Sequence, residues 1–185
     1  PDTQSALYQR YTVDRGINSS NTVQFLVEGQ QESFIDLSQC YLKTVFRVVK
    51  EDGKDLGPDS QVFPTESYGT NLWSQVNVSL NNTPLPPGND YPYTACLIDL
   101  LGASPEARGV VLTPLAGFKQ PHYGSSKIKD ALSGTYVENT AVVALSAEVT
   151  VYDRIHSDFL MSCSQLLPCK MQLGITLTRS KDSFI

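Results

Sequence analysis

Apolar and polar side chains alternate over several segments of this chain, and a period of two is typical of half-buried β-strands. The clearest segment is 72–82, where Val76, Val78 and Leu80 point to one side and polar residues to the other. The same alternation or an apolar, β-branched run occurs at 23–27, 41–49, 141–152 and 171–178. The pattern therefore predicts a protein built mainly of strands.

The connections between these segments are rich in turn-forming residues. Asn81–Pro84 ends the clearest strand, and Glu51–Lys54 contains an Asp-Gly pair that favours a tight turn. Alternating strands joined by long Gly- and Pro-rich connections favour a jelly roll, and the Cys…Trp…Cys framework of immunoglobulin domains is missing. We therefore expect an all-β fold, an antiparallel jelly-roll sandwich with one or two short helices in the connections.

One helix is predicted directly after the clearest strand. Asp90 is placed to act as N-cap, Pro92 lies near the first helical position, and Gly102 is placed to end the helix with a positive φ. The segment between them has an apolar stripe at helical spacing, formed by Tyr93, Leu97, Leu100 and Leu101. We expect this stripe to pack on the sandwich, so that Leu97→Asp lowers the melting temperature.

A chain of 185 residues is long enough for one domain with a sizeable core. We expect an extended N-terminal arm over 1–22, which a neighbouring subunit covers, and a single jelly-roll domain over 23–185. The residues predicted to form the core are Phe46, Val76, Val78, Leu80, Leu97, Val149, Leu173 and Ile175.

Charge is low, at 18% of residues, and the net charge is −5. A surface poor in charge is typical of faces that neighbours cover, and a negative protein is not drawn to nucleic acid over long range. No apolar run is long enough to cross a bilayer. Of the four cysteines, Cys40 and Cys96 are predicted to be small core residues, while Cys163 and Cys169 leave both a disulfide and two thiols open.

Motifs for catalysis are sparse. His156 lies among acidic residues, but a metal site there needs a second ligand such as His122, and a loop histidine bonded to a nearby carboxylate is the preferred interpretation. No nucleophile elbow, phosphate loop or dinucleotide fingerprint occurs. We therefore predict no enzymatic activity, no cofactor and no metal.

Three segments together resemble a known family. They are 34–42, then 72–81 with Tyr91-Pro92-Tyr93 and Leu100-Leu101, and finally 155–158 with 179–184. Their order and spacing are similar to the N-terminal half of the major capsid proteins of Maverick/Polinton elements and adintoviruses, of the double jelly-roll lineage. This resemblance implies a capsid structural protein without enzymatic activity, located in the virion after synthesis in the host cytoplasm or nucleus. The implied partners are further copies of the chain, as a trimer or higher oligomer, and other capsid proteins such as a penton, with no specific nucleic acid and no membrane insertion.

Family members continue into a second jelly roll, whereas this sequence stops at Ile185. A fragment of a longer coat protein, a single-roll relative and a domesticated copy remain as interpretations. Candidate subunit contacts are Tyr8, Tyr11, Trp73, Tyr91, Arg154, His156, Arg179 and Lys181, together with the Pro84–Pro87 loop. The alternative hypothesis is a jelly-roll binding module that recognises a glycan or a protein through its 103–134 loops.

Overall fold

The computed structural model of this chain describes residues 7–13, 21–29, 34–58, 60, 62, 67–86, 90–107, 143–162, 166–168 and 170–181. In this part of the chain the fold is mostly β, with two antiparallel sheets and a few short helices, as in a β-sandwich. The strands are β1 (Thr22–Glu28), β2 (Tyr41–Phe46), β3 (Trp73–Leu80), β4 (Thr83–Pro84), β5 (Val149–Arg154) and β6 (Gln172–Arg179).

The larger sheet has four strands in the order β1-β6-β3-β4. Its register lines up the alternating apolar residues of the three long strands, because a period of two puts every second side chain on the same face. Three apolar rows result: Val23–Leu177–Val76, Phe25–Ile175–Val78 and Val27–Leu173–Leu80. These rows form one wall of the core, and Leu177 at 0% and Leu173 at 1% exposure lie on β6, the middle one of the three long strands.

The smaller sheet pairs β2 with β5. On its inner face Phe46 lies opposite Val149, and Thr44 opposite Val151. Its outer face carries exposed polar and aromatic residues, so each strand alternates between a wet and a packed side. The predicted turn follows β2, where Gly53 has a φ of +77° and Asp52 accepts a hydrogen bond from the backbone N–H of Lys54.

Short helices lie between the strands. Within the described residues the α-helices are α1 (Tyr68–Asn71), α2 (Tyr91–Gly102), α3 (Pro105–Ala107) and α4 (Asp158–Ser162), and 3-10 turns occupy Leu37–Gln39 and Ala144–Ser146. Helix α2 confirms the predicted position, but both predicted end signals act differently. Asp90 is the N-cap in a left-handed conformation without a side-chain cap bond, and Gly102 ends the helix without a positive φ.

The predicted strand over 141–152 is wrong over residues 143–148, and residues 141–142 lie outside the described part of the chain. Leu145 and Ser146 have left-handed φ values of 54° and 57°, so the chain turns here and the strand begins only at Val149. The turn is fixed by distant partners, because the buried Ser146 hydroxyl donates to the Val48 carbonyl at 2.6 Å and accepts from the Leu56 N–H at 2.8 Å. Leu145 is 62% exposed as a result, instead of facing the core.

Replacing Ser146 by alanine should therefore lower the free energy of unfolding by about 1–3 kcal/mol, because it leaves the Leu56 N–H without its partner. Ser79→Ala is the matched control, since Ser79 is half-buried and its hydroxyl lies beside Gly174, with no hydrogen bond to lose. Urea unfolding of both variants measures the difference. Equal midpoints for the two variants would show that the Ser146 bonds do not fix the turn.

Most of the predicted core residues are inside. Val76, Val78, Val149, Leu173 and Ile175 are buried, and Phe46 and Leu80 are partly buried against the main apolar cluster. Leu97 is the exception, at 56% exposure, and its assignment to the core is wrong. The reason is the orientation of α2, described next.

Candidate interaction surface

Helix α2 packs with the face opposite to the one its apolar stripe predicts. The buried residues are Tyr91, Pro92 and Ala95, and the Asp99 side chain, one turn further on, is only 11% exposed. The predicted stripe instead faces outward, with Tyr93 at 62%, Leu97 at 56%, Leu100 at 36% and Leu101 at 85% exposure. We call these four residues the α2 outer face.

The α2 outer face lacks charge entirely. Asp99 is the single Asp, Glu, Lys or Arg between Tyr91 and Gly102, and its side chain points inward to His156. A surface helix normally shows the reverse distribution, with charged residues outside and apolar residues inside. Exposed contiguous apolar residues of this kind mark sites of contact with other molecules.

His156 explains why α2 turns Asp99 inward. It lies two residues after β5, and its Nε2 lies 2.9 Å from Asp99 Oδ1, across 57 positions of sequence. The backbone N–H of His156 also donates to the Tyr91 hydroxyl at 3.3 Å, and the two rings meet edge to face at 6.3 Å. His156, in the loop after β5, therefore contacts the buried side of α2 near both of its ends, at Tyr91 and at Asp99.

A second carboxylate joins this group. Asp153 on β5 is buried, and its Oδ1 accepts a hydrogen bond from the Arg154 N–H at 2.8 Å. Burial is the main cause that raises the pKa of Asp153 to about 7, the negative charge of Asp99 adds to the rise, and His156 opposes it. Asp99, Asp153, His156 and Tyr91 are named the buried polar cluster.

The protonation of His156 follows from the same surroundings. Burial is the largest influence and acts to lower its pKa, but the hydrogen bond and charge of Asp99, followed by the charge of Asp153, outweigh it, so the pKa of His156 is raised. Burial and then the neighbouring carboxylates likewise raise the pKa of the Tyr91 hydroxyl. His156 therefore keeps its proton to a higher pH than an ordinary histidine, and Asp153 keeps its proton to a higher pH than an ordinary aspartate.

The geometry agrees with the preferred interpretation of His156 as a histidine bonded to a carboxylate, although the carboxylate comes from a distant helix. The His156 side chain is only 3% exposed, so a substrate would reach its ring only after α2 moved away. Among the described residues, no group of three or more His, Cys, Asp or Glu side chains is arranged to hold a metal ion. Within the part of the chain that the structure describes, three cluster atoms have no hydrogen-bond partner, namely Asp99 Oδ2, Asp153 Oδ2 and His156 Nδ1.

Three of the predicted subunit-contact residues are buried within the chain itself, and those predictions are corrected. Trp73 is 4% exposed because it belongs to the apolar cluster at the start of β3, while Tyr91 at 3% and His156 at 7% belong to the buried polar cluster. The remaining candidates are reachable from solvent. Tyr8, Arg154, Arg179 and Lys181 are exposed and Tyr11 is half-buried, as is Leu85 in the Pro84–Pro87 loop.

Several predictions fall outside the described residues. These concern His122, Cys163, Cys169, the arm residues 1–6 and 14–20, and residues 108–134 of the predicted binding loops. Cys40 and Cys96 are free thiols of intermediate exposure. In the described segments, no helix has the length and apolar character required to span a bilayer.

A search against protein-family models found no match to this chain, and a search of curated proteins found no significant similarity.

Proposed function

We propose that this chain is a capsid-type structural protein that acts by self-association, and that the α2 outer face is one contact between copies. The observation that carries the proposal is the inverted helix, with four apolar side chains outside and the one carboxylate inside. Covering Tyr93, Leu97 and Leu101 removes apolar area from water, which contributes about 25 cal/mol for each Å².

A second copy of the chain is the occupant that these features favour. The outer face has no charge with which to select a charged ligand, and uncharged apolar and aromatic surface is typical of the centres of subunit interfaces. The face is also held in place, because the buried polar cluster and Ala95, at 0% exposure, fasten α2 from behind. A preorganised surface loses little conformational entropy when it associates.

The N-terminal arm supports the same function. Residues 7–13 have no helix or strand, and Leu7 and Tyr8 are 95% and 80% exposed. An extended segment with large apolar side chains in water gains stability when another subunit covers it. We propose that the two antiparallel sheets belong to a jelly roll of the double jelly-roll lineage, and that the protein resides in a virion or virus-derived shell.

Negative-stain electron microscopy of the purified chain, combined with mass photometry over a wide concentration range, tests the function as a whole. The proposal predicts trimers or larger closed particles as the concentration rises. A strictly monomeric protein at the highest concentration would contradict it. A monomer that binds in a glycan array would instead support the alternative, a binding module.

The surface itself is tested by Leu97→Asp. We expect this variant to lose self-association while its melting temperature stays close to that of the wild type, because Leu97 is 56% exposed and a charge there meets water in the monomer. Leu166→Asp is the matched control, since Leu166 has the same 56% exposure on another segment. Sedimentation velocity of both variants is the measurement. Equal association of wild type and Leu97→Asp would exclude α2 as the contact.

A further inference from the structure

On the outer face of the small sheet, two cationic side chains alternate with two aromatic rings. Tyr41 on β2 lies opposite Arg154 on β5, and Lys43 lies opposite Tyr152. The Arg154 guanidinium lies 5.6 Å from the Tyr41 ring centre, and the Lys43 ammonium 5.5 Å from the Tyr152 ring centre. The tyrosines are 45% and 44% exposed. We name these four residues the cation–aromatic face.

This face is locally positive on a protein of net charge −5. In the part of the chain that the structure describes, neither Lys43 nor Arg154 has a carboxylate within ion-pair distance. The adjacent Asp153 is buried on the opposite side of β5. Arg47, the exposed cation directly after β2, is different, because its guanidinium lies 3.8 Å from the Asp55 carboxylate.

The combination fits one class of ligand better than others. Surfaces that bind single-stranded nucleic acid without sequence preference pair Lys and Arg, which contact phosphates, with exposed aromatic rings on which bases stack. Arginine adds to stacking through its planar guanidinium. Two cations and two rings in alternation on a wet strand face supply both elements within four residues.

We propose that the cation–aromatic face binds single-stranded nucleic acid, with bases on Tyr41 and Tyr152 and phosphates on Lys43 and Arg154. The inference is independent of self-association, since all four residues belong to one chain and stand on the small sheet rather than on α2. The negative net charge opposes long-range attraction, so the affinity is weak, with a Kd on the order of 10⁻⁴ M at physiological salt.

Fluorescence anisotropy of a labelled oligothymidylate measures this binding. The double variant Lys43→Gln, Arg154→Gln is expected to weaken it at least tenfold and to reduce the slope of log Kd against log salt by about 1.4, since each single-strand phosphate contact contributes about 0.7. The matched control is Arg179→Gln, Lys181→Gln, which removes the same two charges from the end of the large sheet and is expected to leave the Kd nearly unchanged.

The rings are tested separately from the charges. Tyr41→Ala and Tyr152→Ala should each weaken binding about tenfold through lost stacking, whereas Tyr→Phe at either position retains it. Circular dichroism of each variant shows whether the sheet persists, and the Phe variants supply the folded comparison. Absence of wild-type binding at millimolar protein, or equal losses in the patch and control double variants, would overturn the proposal. The proposal would also be overturned if the Lys43→Gln, Arg154→Gln variant lost self-association but kept its affinity for the oligonucleotide. That result would make the cation–aromatic face a contact between copies of the chain.

Discussion

Replacing His156 by alanine should lower the free energy of unfolding by about 3–5 kcal/mol, because it leaves buried charge without a partner. Asp99 Oδ1 loses the 2.9 Å hydrogen bond that holds it, and Asp153 loses the positive charge that opposes its protonation. Both Asp99 and Asp153 then lack the imidazole that interacts with each of them in the wild type. We therefore expect α2 to loosen from the loop after β5 before the large sheet unfolds.

A double-mutant cycle separates this interaction from simple loss of packing. His156→Ala, Asp99→Ala and the double variant are compared by denaturant unfolding at mildly acidic pH. The double variant should be much less destabilised than the two single losses together, because removing both partners leaves no unpaired charge from the pair. Additive losses would show that the Asp99–His156 contact contributes little beyond packing.

The second large effect is a decrease in stability as the pH rises through neutrality. The pKa of Asp153 is raised to about 7 in the folded chain, from an ordinary value of 3.8. Between those values the folded state holds a proton that the unfolded state has released, so the free energy of unfolding falls by up to about 1.4 kcal/mol per pH unit. His156 acts in the same direction, since its raised pKa stabilises the fold below its unfolded value and that contribution is lost as the pH rises through the folded value.

Asp153→Asn tests this assignment, since the amide imitates the neutral acid that the folded chain prefers. We expect the variant to be more stable than the wild type at about pH 6 and by a larger margin at about pH 8, because the unfolded wild type has released the Asp153 proton throughout this range, and we expect it to be less sensitive to pH between them. The groups that face Asp153 are Asp99 and Tyr91 from α2, His156, and the Arg154 N–H. Thermal unfolding over this range is the measurement. A wild-type stability that is constant or rises from about pH 6 to about pH 8 would refute the buried, protonated Asp153.

The strands were predictable because their information is local. Over residues 76–80 of β3 and 173–177 of β6 every second residue is apolar, and the rows through Val76, Val78 and Leu173 follow from that period once the strands pair. The position of α2 was predictable for the same reason, since its Pro92 and its three- and four-residue apolar spacing are visible in the chain. The expectation of an antiparallel sandwich came from these local patterns, whereas the pairing of β1 with β6 and of β2 with β5 joins segments far apart in the chain.

The orientation of α2 was not predictable from its own residues. The stripe of Leu97 and Leu101 is the stronger apolar face, and an isolated globular domain would be expected to bury it. The structure buries Asp99 instead, because His156 supplies a partner from far along the chain. One local signal exists, namely that Asp99 is the single charge of an otherwise uncharged helix.

The turn at Ser146 shows a similar limit. Alternation predicts that Val143, Leu145 and Val149 share one face, but the hydroxyl of Ser146 bonds to Val48 and Leu56, which are 98 and 90 positions away. Those two long-range bonds stabilise left-handed backbone at Leu145 and Ser146. The periodicity of apolar residues cannot reveal such long-range partners. The strand that ends in β5 was therefore predicted to begin too early.

The central claim is that another copy of the chain covers the α2 outer face, and hydroxyl-radical footprinting of the wild-type protein tests it most directly. Oxidation of Tyr93, Leu97 and Leu101 is compared between dilute and concentrated samples, with Leu166, at the same 56% exposure as Leu97, as internal reference. We predict that labelling of α2 falls as the chain associates while labelling of Leu166 does not change. Association with unaltered labelling of α2, or no association at all, would contradict the claim.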